Sequence, residues 1–85
     1  MLTRNPEALA EDLDGEVLLL VPPHHEVLHL NGTASALWRL LDEPRSLEEV
    51  VDLLAEAYGA PVPLVRVDIE ALLPVLRERR ALVDS

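Results

Sequence analysis

The sequence has no cysteine, which excludes disulfides, thiolate metal sites and thiol catalysis. It has no lysine and no phenylalanine, and only one tryptophan and one tyrosine. The core of this 85-residue chain must therefore be aliphatic, although 49% of its residues are hydrophobic. A chain of this size makes one domain at most. Its apolar runs are short, the longest being Val17 to Pro23, and cannot span a bilayer. The start, MLTRNPEALAEDLDGE, lacks the basic and apolar regions of a signal peptide. These absences predict a soluble cytoplasmic protein with no membrane partner.

Positive charge is also scarce. Sixteen acids face seven arginines, for a net charge of −9. A nucleic-acid binder needs a basic footprint to displace counterions from phosphate, and this average field repels nucleic acid. It attracts a basic peptide or protein instead.

Turn signals divide the chain. Met1 to Glu7 is expected to be a flexible end. Ala8 to Leu13 alternates weakly, Asp14-Gly15 is a two-residue hairpin signal, and Glu16 to Val21 is rich in β-formers. Pro22-Pro23 forbids a helix. His25 to Leu30 alternates again, with Leu28 and Leu30 on one face and Val27 and His29 on the other. Asn31 then suits a helix N-cap, followed by Ala34, Leu37, Trp38 and Leu41 at helical spacing. Ser46 and Glu49 form a capping-box pattern. Leu47, Val50, Val51, Leu54 and Tyr58 give a second apolar stripe, which Gly59 ends. From about Leu64, a third helix carries Val65, Ile69, Leu72, Leu73 and Leu76, with Pro74 predicting a kink or an early end. The order β-β-β-α-α-α predicts an α+β domain, a three-stranded antiparallel sheet covered by three helices.

Catalytic chemistry fits poorly. No serine or threonine lies in a nucleophile elbow, and the acids are scattered. His25 and His29 have the i, i+4 spacing of a helical zinc site, but on a strand four residues span about 13 Å, too far for one ion. Charge counts against a helix-turn-helix reading, because the second helix carries Glu48, Glu49, Asp52 and Glu56 and no base. The third strand remains. It lies at a sheet edge in a meander and has neither proline nor lysine to protect it. Such an edge can accept a peptide as an added strand. The competing structural role is that the third helix simply covers it.

The stretch GEVLLLVPPHHEVLHLNGTASALWRLLDEPRSLEEVVDLLAEAYG, with DIEALLPVLRERRALV after it, resembles the PqqD-like family, the RiPP recognition elements. The resemblance covers about residues 8 to 83. It implies a winged-helix-like fold and a non-catalytic role with no cofactor. It further implies that the leader segment of a ribosomally made precursor binds by strand addition, for delivery to a modifying enzyme or leader peptidase. The GEVLLL hairpin in a free-standing chain looks most like the lasso-peptide type. Carried over, the peptide-binding residues are Glu26, Val27, Leu28, His29 and Leu30 of the strand, and Asp68, Ile69, Leu72, Leu73 and Leu76 of the last helix. Core-facing and peptide-facing members of that helix are not separable by sequence. Two departures bear on the cleft. Pro74 interrupts the helix, and Arg80-Ala81 stands where the family often has a small residue and glycine. The alternative is a winged-helix DNA-binding regulator.

Overall fold

The computed structural model describes residues 1–23 and 26–84. They run β1 (Leu2–Arg4), β2 (Leu9–Leu13), β3 (Glu16–Val21), β4 (Glu26–His29), α1 (Gly32–Leu40), α2 (Leu47–Tyr58), α3 (Val62–Glu78) and β5 (Leu82–Asp84). His24 and His25, which the metal reading invoked, lie outside the described residues.

Asp14 and Gly15 both take positive φ, 51° and 87°. A two-residue type I′ turn requires this, and its twist matches that of the flanking strands. The turn fixes Leu13 opposite Glu16, and β3 then pairs with β4, in the sheet order β2-β3-β4. Val17, Leu19 and Val21 are buried on one face of β3, while Leu18 and Leu20 point the other way. The three helices cover only the first face. Its core is aliphatic as expected, with Leu19, Leu37, Leu41, Val50, Val51 and Ile69 wholly buried around Trp38.

The passage from β4 into α1 is fixed by two side chains. Asn31 Oδ1 accepts the Ala34 N–H at 2.9 Å, capping the helix. One turn on, the buried Ser35 hydroxyl accepts the Val17 N–H at 2.9 Å and donates to the Leu30 carbonyl at 3.0 Å. The Leu30 N–H donates directly to the Val17 carbonyl at 2.9 Å. Ser35 thus stands where a ladder bond would be and bolts the end of β4 to β3. Farther along α1, Arg39 donates to Asp12 at 2.7 Å and to the Gly15 carbonyl at 2.8 Å, holding the hairpin.

In α2, Ser46 Oγ accepts the Glu49 N–H at 3.1 Å, and Gly59 closes the helix with φ of 62°. Tyr58, expected in the apolar stripe, is exposed. The third helix starts at Val62, earlier than expected, because proline is tolerated in a first turn where the N–H has no intrahelical partner. It also runs through Pro74 to Glu78 rather than ending early. Pro74 and Glu70 are both exposed, so water can take the carbonyl that the proline ring deprives of its donor.

The expected flexible N-terminus is corrected by the structure. β1 pairs antiparallel with β5 as a second, two-stranded sheet, and Leu2 is buried. Leu2 and Arg45 exchange backbone hydrogen bonds of 2.8 and 3.1 Å. Arg4 Nε donates to the Trp38 carbonyl at 2.9 Å, with its guanidinium carbon 4.7 Å from the indole centroid. Asn5 donates to the carbonyls of Ala81 and Arg80 at 2.9 and 2.8 Å. Leu82 to Asp84 thus form a strand that pairs with Leu2 to Arg4 and ties both segments to the core.

Candidate functional site

Among the described residues, β4 has a strand partner on one side only. Its register with β3 is Leu18↔His29, Leu19↔Leu28, Leu20↔Val27 and Val21↔Glu26. Antiparallel pairs alternate between those that exchange two backbone hydrogen bonds and those that exchange none. The Leu30–Val17 bond sets the phase. Leu28 and Glu26 therefore direct their backbone groups to β3, whereas Val27 and His29 direct theirs outward. The hairpin gives the same phase independently. In a two-residue turn the flanking pair, Leu13 and Glu16, is hydrogen-bonded, which leaves Val17, Leu19 and Val21 to address β4. The outer edge thus offers the N–H and C=O of Val27 and of His29.

The third helix borders this edge. Burial of Val65, Ile69, Leu73 and Leu76 sets its orientation, and two ion pairs mark its flanks. Arg66 bonds to Glu48, turning that side toward α2, and this hydrogen bond holds the Glu48 carboxyl below its ordinary value. Arg79 lies 3.7 Å from Glu26, turning the other side toward β4. At 3.6 residues per turn, Asp68, Leu72, Val75 and Arg79 share that second side. Leu72 is half-buried and Val75 is 50% exposed, so an apolar strip faces the space beside β4. The two elements meet at Glu26 and Arg79. There a cavity of about 210 Å³ lies between Val21–Pro23 and Glu78–Arg80. Both members of the ion pair are more than half exposed, so the pair positions the cleft end and adds little stability.

The expected site residues divide accordingly. Glu26 and Leu28 lie on the helix-covered face of β4, and Asp68 and Leu72 lie on the flank of α3 that carries Arg79. Val27, 60% exposed, and His29 contribute backbone to the edge and side chains to the opposite face. There the His29 ring lies 3.0 Å from Glu16 Oε1. Leu30, Ile69, Leu73 and Leu76 are buried core residues. They hold the cleft walls in place and do not line it. Sequence reasoning missed Val75 and Arg79. The i, i+3, i+4 spacing of 68, 72, 75 and 79 was visible, but not which flank of the core stripe it occupied.

A small α+β domain with an unprotected sheet edge beside an amphipathic helix has the geometry that strand-accepting binding modules use. Comparison with known proteins places it more narrowly. The family model described as coenzyme PQQ synthesis protein D (PqqD) matches residues 16–82, and the chain belongs to this family. Among solved structures, it is similar to TbiB1 in complex with the TbiA(β) leader peptide, with 26% identity and a TM-score of 0.87. That match covers 98% of this chain and 96% of the other. It is also similar to the PqqD truncation of Methylobacterium extorquens PqqCD, described as a functional and stand-alone RiPP recognition element. Here the TM-score is 0.82 over 98% and 88% of the two chains, and 20% identity shows the fold alone. No curated protein matches the sequence.

Proposed function

We propose that this chain is a non-catalytic recognition element that binds the leader segment of a ribosomally synthesised precursor peptide, of the lasso type, as an added strand on β4. The observation that carries the reading is the outward direction of the Val27 and His29 backbone groups beside the apolar strip of Leu72 and Val75. Backbone bonds to the edge give affinity, and alternate guest side chains enter the cleft, where they can be selected. Two apolar guest side chains buried there contribute roughly 3–6 kcal/mol before ordering costs. The reading carries with it a modifying enzyme or leader peptidase as second partner, and a cytoplasmic location, where such precursors are made. Among the described residues, no helix is long and apolar enough to cross a membrane.

Fluorescence anisotropy tests the proposal. The probes are the labelled leader of any precursor reading frame that neighbours this gene and, from the structural relative, the TbiA(β) leader. Saturable binding of the first is expected, weakening as salt rises because a chain of charge −9 favours a basic leader. Affinity indifferent to salt defeats the charge argument. Absence of saturation by either leader up to about 100 μM defeats the function.

A further inference from the structure

Two arginines border the cavity where β4 meets the end of α3. Arg79 is matched by Glu26 at 3.7 Å. Glu78 borders the cavity too, but it lies opposite the buried Ile69 on the helix and so projects to solvent. Among the described residues, no hydrogen bond or ion pair engages the Arg80 guanidinium.

Arg80 also stands where an arginine is costly. Its φ of 61° lies in the left-handed region that glycine takes most readily after a helix. The backbone around it is held from both sides. The Arg80 N–H donates to the Arg77 carbonyl at 3.0 Å, and the Ala81 N–H to the Leu76 carbonyl at 2.8 Å. Asn5 Nδ2 donates to the Arg80 carbonyl at 2.8 Å, and Ala81 is wholly buried. Strain fixed by its surroundings in this way clusters at ligand clamps. Here it sets the guanidinium on a rigid base.

We propose that Arg80 is a specificity-determining residue of the cleft, whose guanidinium donates to the carboxylate of an aspartate or glutamate in the guest strand. The inference rests on the proposed leader binding and deepens it. A guest residue opposite Glu26 places its Cβ about 5 Å from that of Glu26 and on the same face, where the cavity opens. Arg79 already matches the charge of Glu26, so the guest side chain meets an unengaged cation. The planar fork of an arginine suits a carboxylate, which it can bind through two parallel bonds. The net charge of −9 favours basic residues in the rest of the guest, and the cleft end reverses that preference at one position.

The test is an aspartate-against-asparagine scan of whichever of the two leaders binds, read by anisotropy. In the wild-type chain, aspartate is expected to bind at least about fivefold tighter than asparagine at one position of the guest strand. In Arg80→Gly that preference is expected to fall below about twofold. This variant relieves the left-handed strain, so a lost preference does not come from misfolding, and circular dichroism confirms the fold. Arg80→Asn keeps a side chain that tolerates the same backbone, and is expected to lose the preference equally. Equal affinity of aspartate and asparagine peptides at every position of the wild-type complex would overturn the inference while leaving leader binding intact. So would a preference that survives in Arg80→Gly, because the arginine would then serve only the helix terminus. A wild-type chain that binds neither leader removes the function on which the inference rests.

Discussion

Replacing His29 by proline separates the backbone role of β4 from its side chain. The His29 N–H points away from β3, so the internal ladder loses no bond when the ring removes it. The preceding Leu28 is already extended, as a residue before proline prefers. The fold should lose about 1 kcal/mol, the span of strand preferences at an exposed edge. Loss of the exposed contact between His29 and Glu16 adds little. Binding is another matter. A guest carbonyl that met the N–H of His29 would be left buried without a donor, at about 1–3 kcal/mol. The ring carbons would also keep that carbonyl at a distance and weaken its neighbours. A total of about 2–3 kcal/mol corresponds to roughly a 30- to 150-fold loss of leader affinity. Anisotropy titration measures it, with circular dichroism to confirm the fold. His29→Ala keeps the N–H and should change affinity by less than about threefold. Leu28→Pro removes a donor to β3 and should unfold the edge, costing about 3 kcal/mol. A folded His29→Pro chain that binds leader like the wild type would show that the guest pairs elsewhere, with the edge of β2 as the next candidate.

Other substitutions probe the supports of the site. Ser35→Ala leaves the Val17 N–H and the Leu30 carbonyl without their bridge, and should cost about 2–4 kcal/mol in urea unfolding while loosening β4. Arg80 has φ of 61°, a left-handed conformation that costs a side chain about 1–2 kcal/mol. Arg80→Gly should therefore raise stability by roughly 0.5–1 kcal/mol after the added flexibility of glycine, seen as a thermal midpoint higher by a few degrees. Glu48 is held below its ordinary carboxyl value by its hydrogen bond to Arg66. A depressed folded value means that its contribution is complete above the ordinary glutamate range and disappears as pH falls through the lowered value. Glu48→Gln should flatten that acid limb of the stability curve while leaving leader affinity unchanged.

Local chemistry was legible wherever neighbours in sequence are neighbours in space. Asp14-Gly15, Asn31, Ser46 and Gly59 each act within a few residues of themselves, and each sits in the turn or cap its side chain suggests. The alternation of His25 to Leu30 separated Val27 and His29 from Leu28 and Leu30, and the burial of Leu30 beside the exposure of Val27 follows it. Tyr58 did not follow its stripe: at the last turn of α2 its side chain is left exposed. Pro74 did not end α3, because a lost hydrogen bond on a solvated face costs little beside the burial of Leu73 and Leu76 on the other.

By itself, then, the sequence determined the three-stranded meander and the three helices, the caps of α1 and α2, the aliphatic core and the acidic charge, since composition and short-range periodicity carry that information. It also identified β4 as an unprotected strand. Tertiary structure decided what no local pattern encodes. The pairing of Leu2–Arg4 with Leu82–Asp84 joins the two ends of the chain, and nothing in either tripeptide names its partner. Ser35 bridges β3 and β4 only because α1 packs its buried side there. The third helix buries Ile69, Leu73 and Leu76 in the core and carries Asp68, Leu72, Val75 and Arg79 on one flank, and the contacts of Arg66 with α2 and of Arg79 with β4 show which flank that is. A hydrophobic stripe shows that a helix has a buried face. Contacts with two neighbours are needed to show which flank of that face looks into the cleft.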